Sequence, residues 1–216
     1  MAAVCAGAAL YQLWVRPRML TWGATADEVA ETYPGDDLIP GAEGHATMAT
    51  TLPAPPEKVW RWLVQMGGGR GGWYAWDSLD NNGNPSADRI MPQYQTLEQG
   101  QRLSRASAPG QPSGWFTVVT LEPNRTLVLR SSYGLFSGRP FDPPADPAPW
   151  GWVDGIWGFH LRGIPGERTR LVVRNPSRSA PRAVSRLFSP LIGEPTHFAM
   201  QIRQFHNLRK RVAAET

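Results

Sequence analysis

Phe198-Ala199-Met200-Gln201-Ile202-Arg203-Gln204-Phe205-His206-Asn207-Leu208-Arg209-Lys210-Arg211-Val212 is the stretch on which the fold turns. Phe198, Ile202, Phe205, Leu208 and Val212 recur at spacings of four, three, three and four, as on a helix with one continuous apolar face. Arg203, Asn207, Lys210 and Arg211 fall mainly elsewhere. The pattern predicts a helix from about 196 to 213 that must bury its stripe against something. Pro190 and Pro195 interrupt the chain before it, so the region from 182 enters as a separate short helix or bend.

The surface for that stripe lies upstream. Arg168 to Asn175 sets Arg168, Arg170 and Arg174 against Thr169, Leu171 and Val173, a strand with one wet side and one buried side. Gly163-Ile164-Pro165-Gly166-Glu167 supplies turn chemistry before it. Trp150 to Arg162 reads as a long strand with Val153, Trp157, Phe159 and Leu161 on one face. Trp115 to Leu121 and Thr126 to Ser131 read as a hairpin about Glu122-Pro123-Asn124. Residues 134–149 form a long loop rich in proline. Thr47 to Leu52 alternates as a first strand. Pro55-Pro56-Glu57 opens a helix whose Val59, Trp62, Leu63 and Met66 make one buried stripe, with Gly67 as its cap. The expected fold is α+β, a curved antiparallel sheet wrapped around the long C-terminal helix.

The domain reading follows: an apolar segment over 1–18, a connecting segment over 19–42 with a turn at Pro34-Gly35-Asp36-Asp37, and one domain over 43–214. Ala2 to Val15 is apolar except for Gln12, and Arg16 and Arg18 follow it. A secretory signal carries its charges before the apolar run, so that reading fails. Fourteen helical residues reach about 21 Å, short of the about 30 Å of a bilayer core. Three readings remain open, an anchor through residues 1–15, an apolar helix packed on the domain and a disordered leader. As an anchor it keeps the domain on the cytoplasmic side of a membrane.

The 216 residues carry 22 Lys and Arg against 18 Asp and Glu, with an isoelectric point near 9.6. The excess is concentrated, since residues 162–216 hold 11 basic and 3 acidic side chains. No basic–aromatic reading motif accompanies the charge, and no nucleic-acid partner is expected. The only cysteine, Cys5, excludes a disulfide within the chain and any cysteine-based metal site.

Motifs for chemistry are few. Gly67-Gly68-Gly69-Arg70-Gly71-Gly72 matches G-x-G-x-x-G but follows a helix, whereas dinucleotide binding requires a strand before it. Asp80-Asn81-Asn82-Gly83-Asn84 hints at a calcium loop, yet Pro85 and Met91 stand where the glycine and the final carboxylate belong. Histidines 45, 160, 197 and 206 show no metal spacing, and no nucleophile elbow is present. No catalytic constellation, metal set or cofactor is therefore assigned. The acid–base groups available are Asp77, Asp88 and His160, with Arg89 as an anion partner.

Two blocks carry a resemblance. Trp62-Leu63-Val64-Gln65-Met66-Gly67 runs on through Gly69-Arg70-Gly71-Gly72-Trp73-Tyr74 to Asp77, Leu79 and Asn81. Ser86-Ala87-Asp88-Arg89-Ile90 follows, with Pro92 and Gln95. With the order of elements, over about residues 20–212, they resemble the START-like, or SRPBCC, superfamily, which includes Bet v 1-like and polyketide cyclase/dehydrase-related proteins. Ala75, Gln93 and Gln101 depart from the expected hydroxyl, Glu and Asp. The resemblance implies a helix-grip cavity for lipid-like or polyketide-like molecules.

Three functions follow as alternatives: binding of a hydrophobic small molecule, a cyclase or dehydratase acting on one, and an interaction module held at a membrane. The first is preferred because no catalytic constellation is present. Trp73, Tyr74, Asp77, Arg89, Trp157, Phe159, Phe198 and Ile202 are the expected ligand site. The two blocks are expected to fold together beside the cavity mouth, with Arg89 paired to Asp77 or Asp88.

Overall fold

The computed structural model describes residues 6–7, 9–105, 114–143 and 148–214. Residues 1–5 and Ala8 of the expected anchor lie outside them, as do residues 144–147 of the proline-rich loop. The elements run α1 (Arg16–Leu20), α2 (Ala26–Ala30), β1 (Gly44–Leu52), α3 (Pro56–Val64) and α4 (Asp77–Asp80). Then come β2 (Arg102–Ser104), β3 (Trp115–Glu122), β4 (Thr126–Gly134), β5 (Trp152–Ile164) and β6 (Arg168–Ala180). The chain closes with α5 (Arg182–Phe188) and α6 (Glu194–Ala214), and π-helical turns occupy Tyr11–Val15 and Ser189–Gly193. The six strands form one curved, open antiparallel sheet in the order β1-β6-β5-β4-β3-β2, gripping α6 in an α+β helix-grip arrangement.

The concave face holds the main core. Met48 pairs with Val173, Val173 with Phe159, and Phe159 with Leu127, so four strands present a row of large apolar side chains. Against this end pack α3, through Val59, Trp62 and Leu63, and the second half of α6, through Phe205, Leu208 and Val212. Each such side chain taken from water contributes about 1.5–3 kcal/mol. Pro55 and Pro56 start α3, whose end differs from the expected one. It stops at Val64 with Gln65 as its C-cap, while Gly67 forms an antiparallel bridge to Gly72.

The convex face is also covered. Residues 24–42 lie across it as a strap: Tyr33 packs with Ala49 and Val172, and Ile39 with Val128 and Ile156. Arg170 donates to Glu28 at 2.7 Å and to the Gly23 carbonyl, and Arg174 donates to Asp36 at 2.8 Å. Arg162 pairs with Glu31. The alternating arginines of β6 were expected to face water. Arg170 and Arg174 are instead half-buried clamps on a segment more than a hundred residues away, and hydrogen bonding from Arg170 holds the Glu28 carboxyl below its usual range. Arg178 shares the fully buried Asp154 with Arg130, and Arg182 reaches Glu43. Arg162, Arg170, Arg174, Arg178 and Arg182 of the basic C-terminal quarter are thus paired with carboxylates that come earlier in the chain, while Arg209 and Arg211 donate to backbone carbonyls.

Candidate functional site

The opposite end of the concave face is hollow. Gly44 pairs with Ser177, Ser177 with Gly155, and Gly155 with Ser131, which puts a row of small residues across the same four strands. Above this floor lies a cavity of about 690 Å³, a size that suits a small organic ligand. A Cβ on Gly155 would sit 3.1 Å from Ser177 Cβ, so the floor is already close-packed beneath the void.

Aromatic rings form the inner wall. Trp73 lies 5.6 Å from Trp157 and 5.1 Å from Phe116, centroid to centroid, and Trp157 lies 4.9 Å from Phe159. These contacts fix the rings in offset or edge-on packing, leaving large rigid apolar surface beside the void. Arg105 stands over the Tyr133 ring at 4.7 Å, and both residues line the cavity.

The roof is the first half of α6. Glu194, His197, Gln201 and Gln204 recur at spacings of three, four and three and face the cavity, a polar line beside the apolar stripe. Two of them form a buried chain. Trp157 Nε1 donates to Gln201 Oε1 at 3.1 Å, Gln201 Nε2 to Gln204 Oε1 at 2.9 Å, and Gln204 Nε2 to the Trp73 carbonyl at 2.9 Å. The chain ties sheet, helix and the Trp73 loop together. Every link is a satisfied hydrogen bond in a site where an unmet one is costly.

Other polar groups at the wall lack such partners. The Asp80 carboxylate oxygens, Asn175 Oδ1 and His197 Nε2 are buried with no hydrogen-bond partner among the described residues. Burial, and then the charge of Asp77, pushes the Asp80 carboxyl up to about 6. Burial pulls the His197 imidazole down to about 4, so it is neutral at pH 7. Among the described residues no group of three or more His, Cys, Asp or Glu is placed to hold a metal ion.

The two sequence blocks do fold together. Ala87 N donates to the Gly71 carbonyl, Tyr74 N to Ser86 Oγ, and Ser86 Oγ to Asp77. Gly72 adopts φ 75° where an added Cβ would lie 2.9 Å from Ser86 Cα, so only glycine allows this approach. The first block supplies Trp73, Ala75, Leu79 and Asp80 to the cavity wall, and the second lies behind it.

The expected site residues separate into three groups. Trp73 and Trp157 line the cavity, with Phe159 packed beneath Trp157. Tyr74 is buried in the core behind Trp73, its hydroxyl donating to the Trp62 carbonyl and accepting from Gln65. Phe198 and Ile202 pack on the core beside the cavity rather than lining it. Asp77 is held by Ser86, and Arg89 is exposed and makes no ion pair with Asp77 or Asp88, in contrast to the pairing expected. Among the described residues Arg89 lends its carbonyl, which accepts from Gln65. His160 is on the convex face against Tyr33, at 4.6 Å between rings, away from the cavity. Sequence reasoning missed Asp80, Asn175, His197, Gln201 and Gln204; the second helical spacing through 194, 197, 201 and 204 was the signal for three of them.

No family model and no curated protein matches the chain. Among solved structures it is similar to protein MLL2253 of Mesorhizobium loti, at 18% identity over 80% of this chain and 99% of that one, TM-score 0.44. It is similar to DynU16, a protein of the dynemicin biosynthetic locus, at 15% identity over 80% of this chain and 48% of that one, TM-score 0.44. A hypothetical protein of Helicobacter pylori, jhp0584, matches at 11% identity over 83% and 94%, TM-score 0.48. Similarity at this level supports no transfer of function.

Proposed function

We propose that this protein binds a small, largely apolar molecule carrying polar groups, lipid-like or polyketide-like in character, in the cavity between the sheet and α6. The observation that carries the reading is the cross-strand row Gly44, Ser177, Gly155 and Ser131 facing the rings of Trp73, Phe116 and Trp157. A sheet that needed only a core would place large side chains in that row, as it does two rows away. Buried, unpartnered oxygens and nitrogens at the wall favour a ligand with hydrogen-bonding groups over a plain hydrocarbon. Native mass spectrometry of protein purified from its own host tests this. The expected result is a retained mass that is released on denaturation and is absent from Ser131→Leu, which fills the cavity. A wild-type chain that carries nothing under these conditions, or a Ser131→Leu chain that carries the same mass, would sink the proposal.

A second reading, an enzyme of cyclase or dehydratase type, is favoured by Asp80. A carboxyl near pKa 6 at a ligand cavity is suited to proton transfer. Under this reading Asp80→Asn keeps the ligand and loses turnover. Under the binding reading, no turnover exists to be lost.

A further inference from the structure

Two apolar segments far apart in the sequence border one another at the cavity mouth. Tyr11 Oη donates to the Pro190 carbonyl, and Arg16 makes a bidentate pair with Glu194 at 2.6 and 2.8 Å. These bonds fix the Tyr11–Val15 turn beside the Ser189–Gly193 turn. Both leave large apolar side chains in water: Leu10 (59%), Leu13 (71%) and Trp14 (58%) on one, Phe188 (54%), Leu191 (63%) and Ile192 (60%) around the other. Such a cluster is costly on a surface that meets only water. The same segments rim the cavity, since Leu20, Ser189, Gly193 and Glu194 line it.

The charge around the patch is net positive, because Glu194 and Glu43 offset only two of its four arginines. Within residues 6–20 and 182–193 every charged side chain is an arginine, namely Arg16, Arg18, Arg182 and Arg186. Arg16 and Arg182 are paired with Glu194 and Glu43, and Arg18 stacks over the Trp14 ring at 4.6 Å. Exposed Leu, Ile, Phe and Trp with an arginine fringe is the composition of a surface that rests in the headgroup region of an anionic bilayer. Among the described residues no helix is long and apolar enough to cross a membrane, so such a contact is peripheral.

We propose that this patch docks on an anionic lipid surface, placing the cavity mouth against the bilayer. Apolar contents then pass between membrane and cavity without crossing water. The docking proposal is independent of what the cavity holds, and its test uses no ligand. The full chain is floated with vesicles of phosphatidylcholine alone and of equal parts phosphatidylcholine and phosphatidylglycerol. Binding to the anionic vesicles, weakened by salt, is expected. Leu13→Asp and Ile192→Asp, each at an exposed position, should each reduce it by about tenfold or more while the thermal midpoint stays unchanged. Arg18→Glu should reduce it on anionic vesicles alone. The proposal is overturned by failure to float with either vesicle, by equal binding to neutral vesicles, or by substitutions without effect. Self-association that these substitutions abolish, with no vesicle binding, would assign the patch to a second copy of the chain and overturn it equally.

Discussion

At one end of the concave face Met48, Val173, Phe159 and Leu127 meet α3 and the second half of α6; at the other, Gly44, Ser177, Gly155 and Ser131 face the first half of α6 across a void. Strands and helix are the same at both ends. What differs is side-chain volume in the sheet rows and the polarity of the helix face above them. The helix carries Phe205, Leu208 and Val212 over the packed end and Glu194, His197, Gln201 and Gln204 over the hollow one. A single element thus seals one half of the molecule and roofs a chamber in the other. Stability and ligand capacity reside in different rows of one sheet, so they should respond separately to substitution.

The largest effect is expected at the packed end. Phe205 is 3% exposed and stacks on Trp22 at 6.1 Å, so Phe205→Ala should cost about 3–5 kcal/mol in chemical denaturation. An unchanged midpoint would break the comparison, because the helix would then not seal that end.

The convex face supplies a control in which stability moves and neither row is touched. Burial holds the His160 imidazole down at about 4 from an ordinary 6.5, with Asp36, Arg174, Arg162 and Glu31 as the nearest charges. Between those values the unfolded chain binds the extra proton and the folded one does not. Folding free energy should therefore fall as pH drops from 6.5 towards 4, by at most about 3 kcal/mol. His160→Phe should flatten that slope while leaving cavity occupancy as it was. An unaltered slope in the variant would remove His160 from this account.

At the boundary between the ends, Gln204→Leu strands Gln201 Nε2 and the Trp73 carbonyl, both buried, and should cost about 1–3 kcal/mol in thermal or chemical unfolding. A neutral result would place the boundary elsewhere. Smallest of all, Ser131→Leu should leave stability unchanged or raise it by up to about 1 kcal/mol, since it fills space already present. A loss of several kcal/mol would mean that the hollow end is as tightly packed as the other.

The packed end was legible in the sequence and the hollow end was not. The spacing of Phe198, Ile202, Phe205, Leu208 and Val212 is local, and so is the alternation of the strands, although β6 runs on from the expected Asn175 to Ala180 and the short β2 was not expected. The small-residue row is invisible without register: Gly44, Ser131, Gly155 and Ser177 become one surface only when four strands are aligned. The aromatic wall was half-read through Trp73 and Trp157. Arg89 misled because a carboxylate and an arginine near one another in sequence suggest a pair, whereas Ser86 reaches Asp77 first. The strap was read as a connection because Glu28 and Asp36 find their arginines only through the pairing of β1 with β6.

That pairing also sets an order of events in synthesis. Strands β2 to β6 form a meander in which each new strand finds its neighbour already made. Strand β1, at the far edge, joins only β6, with Gly44 opposite Ser177. Emerging from the ribosome before the other strands, β1 has no partner until β6 has followed, and the strap must wait for β6 too, which carries Arg170 and Arg174. Contacts of such sequence separation form slowly and leave an unpaired edge in the meantime. The region from the strap through Leu52 is therefore the part most dependent on completion of β6, and the part that a chain cut short before Arg168 would leave without a place to fold.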